Sequence, residues 1–146
     1  MASLSNQRAR AALVTSVVAT VALYFIPLGS TLAYPLVLLS TLAHEMGHGI
    51  AALLVGCRFD AFMLYSDGSG AALTAGNPGR LASAFFSAGG LVGPAIASSI
   101  CFLVGRRAQA ARTTLLVVGV LLVIALILLI RNVFGWVFVA AVAAIC

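Results

Sequence analysis

Charged residues are scarce in this sequence. It has no lysine, two aspartates, one glutamate and two histidines, and its eight arginines bring the charged fraction to only 8%, against about a quarter in soluble domains. That shortage excludes a water-soluble globule. Arginines scattered over a chain that is 63% hydrophobic also exclude a nucleic-acid footprint, so no nucleic-acid partner is expected. The three cysteines, Cys57, Cys101 and Cys146, form neither a C-x-x-C pair nor an even disulfide framework, and they read as small buried hydrophobes. Internal repeats and low-complexity linkers are absent too, which leaves a single domain over residues 1–146.

Long apolar runs are what the sequence does have. After a polar start carrying Arg8 and Arg10, residues 11–28 have serine and threonine as their only strongly polar side chains, a stretch long enough to cross a bilayer. Pro27, Gly29 and Ser30 break this span, and Pro35 suits the first turn of a second helix running over residues 36–55 and ending at Gly56. The pattern then changes. Phe59, Met63, Leu64 and Tyr65 suit a strand, Ser66-Asp67-Gly68-Ser69-Gly70 is turn chemistry, and residues 71–74 can return, so a short β-hairpin is expected at the membrane edge. A third helix is predicted over residues 80–104, with Gly89, Gly90 and Gly93 forming a small-residue face and Pro94 as a kink. Arg106, Arg107 and Arg112 read as headgroup anchors before a fourth span over residues 113–130.

The predicted fold is an all-α polytopic membrane protein of four to five transmembrane helices, with a short β-hairpin between the second and third. Alternation of the spans puts five arginines on the side of the N-terminus and three on the other, favouring an inside N-terminus. The last apolar run, residues 133–146, is too short to span fully and has no flanking stop, so the chain reads as lacking a C-terminal part.

The second helix contains His44-Glu45-Met46-Gly47-His48. Residues four apart on a helix lie one above the other, so both imidazoles face one side and can hold one metal ion, while Glu45 is placed to take a proton from water. These are the only histidines and the only glutamate in the chain. Ionisable groups in the middle of an apolar span cost about 2.5 to 3.5 kcal/mol each on insertion scales and are kept mainly where they work or pair. Ala43, Gly47 and Ala51 form a small-residue stripe beside the histidine face, where another helix can pack closely and hold the histidine rotamers. In the competing structural role, the histidines bond neighbouring helices and Glu45 pairs with an arginine.

The H-E-x-G-H motif in an early span, the hairpin after it and the segment Ala88-Gly89-Gly90-Leu91-Val92-Gly93-Pro94 together resemble the site-2 protease family of intramembrane zinc metalloproteases. Ser66-Asp67-Gly68-Ser69-Gly70 and Ile130-Arg131-Asn132 resemble a compact bacterial branch of that family. The resemblance extends from about Leu36 to Gly135 and implies Zn²⁺ as cofactor, His44 and His48 as its ligands and Glu45 as general base. It also implies an integral membrane protein of a bacterial cell membrane, whose partners are the lipid bilayer and a membrane-protein substrate.

One departure stands out. The family takes a third ligand, an aspartate, usually from a Leu-Asp-Gly motif on a later span, and no such motif is present. Asp60 reads as a solvated charge at a strand end, Asp67 as a turn former, and Asn77-Pro78 as a helix-start turn. Catalytic zinc takes three protein ligands, which leaves Asp67, or an aspartate beyond Cys146, to complete the set.

The expected function is that of a zinc-dependent intramembrane metalloendopeptidase acting in or near a transmembrane segment of another membrane protein. A helical substrate must unwind to expose its backbone, and the edge of the hairpin over residues 59–74 is a template for the extended strand. The rival is a catalytically inactive relative acting as a binding or regulatory partner. A metal transporter would need further ligating groups on several spans, which the sequence does not supply.

Overall fold

The computed structural model describes residues 2–26, 28–77 and 79–146; Pro27 and Pro78, expected as a helix breaker and a helix-start residue, lie outside the described residues. The elements in chain order are α1 (Ala2–Phe25), α2 (Gly29–Leu54), β1 (Arg58–Leu64), β2 (Gly70–Ala75), α3 (Arg80–Val104), α4 (Ala108–Leu128) and α5 (Val133–Ile145). Among the described residues, α2, α3 and α4 are long and apolar enough to cross a membrane, and shorter apolar helices cover residues 10–23 and 133–145. The expected count of four to five spans thus meets three helices of full spanning length.

Several boundaries differ from the hydropathy reading, each for a local reason. The first helix begins at Ala2 rather than near residue 11, and α4 begins at Ala108 rather than Thr113. In both places alanine, glutamine and arginine are good helix formers, so the helix runs on past the stretch that hydropathy marks. Pro35 lies inside α2 and not in its first turn. Apolar spans tolerate such prolines because neighbouring groups and local adjustments satisfy the freed carbonyl. α2 ends within a residue of expectation, before Gly56, which takes a φ of 80° that costs a residue without a Cβ little.

The chain divides into two compact units. Residues 1–37 hold α1 and the start of α2, joined by a tight turn in which the Gly29 N–H donates to the Ile26 carbonyl at 2.8 Å. A Cβ on Gly29 would lie 1.6 Å from the Leu23 carbonyl oxygen, so no other residue fits that turn.

Residues 38–146 hold the rest, and their core forms around the hairpin. The strands β1 and β2 pair antiparallel, with Phe62 opposite Ala72 and Leu64 opposite Gly70, and a bulge between Phe59 and Ala61. On its other edge β1 meets the break between α4 and α5. The Phe62 N–H donates to the Leu129 carbonyl at 2.8 Å, and the Arg131 N–H donates to the Phe62 carbonyl at 3.2 Å, a parallel bridge that adds a short third strand. This pairing ends α4 at Leu128, two residues before the apolar run ends, because residues 129–131 give their backbone groups to the hairpin. Phe62, Leu64, Ile130 and Val139 are among the most buried side chains, at 2% exposure or less.

Elsewhere the helices turn large apolar side chains outward. Leu91, Leu103, Leu116, Leu121 and Val137 are all exposed, as expected where lipid rather than a protein core receives them. The cysteines follow the same rule. Cys101 is exposed and Cys57 and Cys146 are half-buried, so none is the fully buried hydrophobe expected, and all three are free thiols.

Candidate metal and catalytic site

Two small-residue stripes bring α3 onto the histidine-bearing part of α2. A Cβ on Gly47 would lie 2.2 Å from the Gly89 carbonyl oxygen and 3.1 Å from Gly93 Cα, and one on Gly93 would lie 2.5 Å from the Ala43 carbonyl oxygen. The Ala43-Gly47-Ala51 stripe therefore lies directly on Gly89-x-x-x-Gly93, the approach that such residues permit between membrane helices.

This crossing fixes His48. Its Nδ1 lies 2.9 Å from the Phe86 carbonyl oxygen, which can only accept, so Nδ1 is the donor and Nε2 faces the other way. Gly90 makes the arrangement possible, because a Cβ there would lie 2.3 Å from His48 Nε2. Residue 90 is one turn beyond Phe86, where a side chain would fill the space that the ring occupies. The Phe86 ring also packs on the imidazole, with centroids 4.8 Å apart. Nε2 of His48 lies 3.1 Å from Nε2 of His44, within hydrogen-bond distance, with the two rings edge to face. The structure thus brings together the two histidines that the sequence singled out.

Glu45 leaves α2 on the adjacent face and meets the hairpin. It is 9% exposed, and its Oε2 accepts a hydrogen bond of 2.8 Å from the Ala72 N–H. Phe62, opposite Ala72, turns its own N–H and carbonyl to residues 129–131, so the two residues form a rung without mutual hydrogen bonds and Ala72 presents its N–H on the outer edge of β2. Gly70 permits the approach, since a Cβ there would lie 2.8 Å from both Glu45 Cγ and Thr41 Cγ2. One turn before Glu45, the Thr41 hydroxyl donates to the Gly68 carbonyl at 2.7 Å and ties the hairpin turn to α2.

The aspartates do other work. Asp67 Oδ1 accepts hydrogen bonds from the Ser69 hydroxyl at 2.6 Å and the Ser69 N–H at 2.9 Å, the turn-forming role read from the sequence. These bonds, the hydroxyl's first, hold its carboxyl below the usual carboxylate range. Asp60 is an exposed strand residue whose carboxylate lies 3.3 Å from Arg58 Nε. Among the described residues no third histidine, cysteine or carboxylate joins His44 and His48 in a metal-ligating group.

Sequence reasoning passed over three participants, the Phe86 carbonyl, Thr41 and the Ala72 N–H, and read Gly90 as a helix-packing position, not as the space for His48. One of the three had a signal. Thr41 is a polar residue four before Glu45 and so on its face. The other two are backbone groups, which carry no residue-type signal.

The family model described as Peptidase M50B-like matches residues 4–146, nearly the whole chain. No curated protein and no solved structure matches it. The family match falls on a chain whose described residues include three long apolar helices and an H-E-x-G-H segment whose imidazoles converge. This membrane protein therefore belongs to the Peptidase M50B-like family, the site-2 protease family.

Proposed function

We propose that this protein is a zinc-dependent endopeptidase of a bacterial cell membrane, hydrolysing a peptide bond in or near a transmembrane segment of another membrane protein. The observation that carries this reading is the convergence of two imidazole nitrogens, 3.1 Å apart, beside a buried carboxylate on the same helix. Two nitrogens each about 2.0–2.1 Å from a tetrahedral zinc ion lie about 3.3 Å apart, so His44 and His48 fit as two of its ligands. His48 also has the hydrogen bond to a backbone carbonyl that zinc-ligating imidazoles typically make through their other nitrogen. Zinc bound there supplies a Lewis acid for the scissile carbonyl.

The chain's own residues do the rest. Glu45 takes a proton from the attacking water and returns it to the leaving amine nitrogen. The substrate backbone, once unwound, lies along the outer edge of β2 beyond Ala72, whose own N–H is given to Glu45. β1 is closed to a substrate at Phe62, because residues 129–131 already occupy that edge.

The test is cleavage of a single-span helical substrate in proteoliposomes. Cleavage is expected in the parent, is lost on chelation and returns with zinc. Ala72→Pro removes the N–H that holds Glu45 at this edge while leaving the rungs to β1 intact, and is expected to lower the rate at least tenfold. Undiminished cleavage by that variant would show that catalysis needs neither the Ala72 N–H nor an intact outer edge on β2.

The lack of a third ligating side chain among the described residues favours a second reading, a non-catalytic member that keeps the fold as a binding partner. Its signature is a parent chain no more active than Glu45→Gln.

A further inference from the structure

Asn132 is the N-cap residue of α5, yet its side chain makes no hydrogen bond to its own helix. Asparagine is favoured at that position because its oxygen accepts an N–H of the first turn. Here the amide is committed elsewhere. Its Oδ1 accepts from the Leu64 N–H at 3.2 Å and its Nδ2 donates to the Leu64 carbonyl. A side-chain amide thus exchanges both bonds with a strand residue, as a peptide group does across a ladder. It extends by one rung the pairing that Leu129 and Arg131 make with Phe62. Gly135 leaves room for it, since a Cβ there would lie 2.6 Å from Asn132 Oδ1 and 3.5 Å from the Leu64 nitrogen.

The residues held in this way are those whose partners touch Glu45. Leu64 is opposite Gly70, which packs against Glu45 Cγ, and Phe62 is opposite Ala72, which donates to Glu45 Oε2. The hairpin is therefore clamped between the α4–α5 break on one edge and the acid on the other. Leu64 itself is fully buried, so water cannot replace the amide there.

We infer that Asn132 is a positioning residue for Glu45: by binding Leu64 it fixes the hairpin so that the Ala72 N–H holds the carboxylate in its working orientation. This inference rests on the protease reading for its consequence in activity, but not for the coupling itself. Asn132 touches neither the histidines nor Glu45, and its effect passes through the hairpin.

The experiment is residue-resolved amide exchange of the full chain in detergent micelles, by nitrogen-15 NMR, without metal or substrate. In Asn132→Leu the Ala72 amide is expected to exchange at least tenfold faster, while amides in the middle of α4 keep their parent rates. Gly135→Ala, which crowds the amide, is expected to shift Ala72 in the same direction. Should Asn132→Leu also loosen α4, Asn132→Asp is read by the same criterion, since it keeps the size and the acceptor for Leu64 but turns an oxygen, in place of the donor, to the Leu64 carbonyl. Faster exchange at Leu64 with Ala72 unchanged would overturn the inference. In the cleavage assay kcat is expected to fall at least tenfold with KM within twofold, and a matching rise in KM alone would also overturn it. A parent chain that cleaves nothing counts against the protease reading only, because the exchange rates still decide whether Asn132 and Ala72 are coupled.

Discussion

Glu45→Gln is expected to lower the cleavage rate by about two to four orders of magnitude, the range that a positioned general base contributes, at unchanged metal content. Glutamine has the size of glutamate, and its amide oxygen can still accept from the Ala72 N–H, so the hairpin stays where it is. His48 is held from α3 by the Phe86 carbonyl and faces His44, contacts that the substitution does not touch. What the variant loses is the ability to carry a proton. Glu45→Ala is a poorer test, because it takes the partner from the half-buried Ala72 N–H and confuses chemistry with hairpin stability. Initial rates and elemental analysis on one preparation check the result. A glutamine variant retaining a tenth or more of the parent rate would remove Glu45 from the proton path.

The second large effect is expected at a residue with no chemistry of its own. Gly90→Ala places a Cβ 2.3 Å from His48 Nε2 and 2.5 Å from Cε1. Those atoms belong to a ring that can rotate away, so the helices stay crossed while His48 gives up the Phe86 carbonyl and its aim at His44. Losses of orienting partners typically cost 10- to 100-fold in metal affinity, and displacing the ligand itself belongs at or beyond the upper end. Zinc titration with a competing chelator measures it. An unchanged affinity would show that His48 does not bind the metal in the orientation described here. A Cβ at Gly47 is a different case, since its obstacle is the Gly89 backbone and no rotamer relieves it.

How much of this was legible in the sequence depends on the reach of the interaction. α3 was read to its ends, residues 80–104, because glycines flank it and its apolar run is uninterrupted by charge. The hairpin was legible from the Asp67-Gly68 turn between strand-compatible runs. The histidine pair followed from helical spacing alone, and the glycine stripes on α2 and α3 signalled the crossing that holds it.

Longer-range features were hidden. Ile130-Arg131-Asn132 stood out as a motif, but nothing local says that its backbone and the Asn132 amide pair with a strand some 68 residues earlier. For the same reason hydropathy carried the fourth span through Ile130, where tertiary pairing ends the helix at Leu128. Residues such as Cys101 were misplaced because apolar character, which marks a core residue in water, marks an outward-facing one in a bilayer.

The central claim is that His44 and His48 hold a metal ion. Its most direct test is the zinc content of the purified chain beside a His44→Ala, His48→Ala double variant, each incubated with zinc and then stripped of loosely bound metal. About one zinc per parent chain and none in the variant is the expected result. Equal zinc in both, or none in the parent, would contradict it.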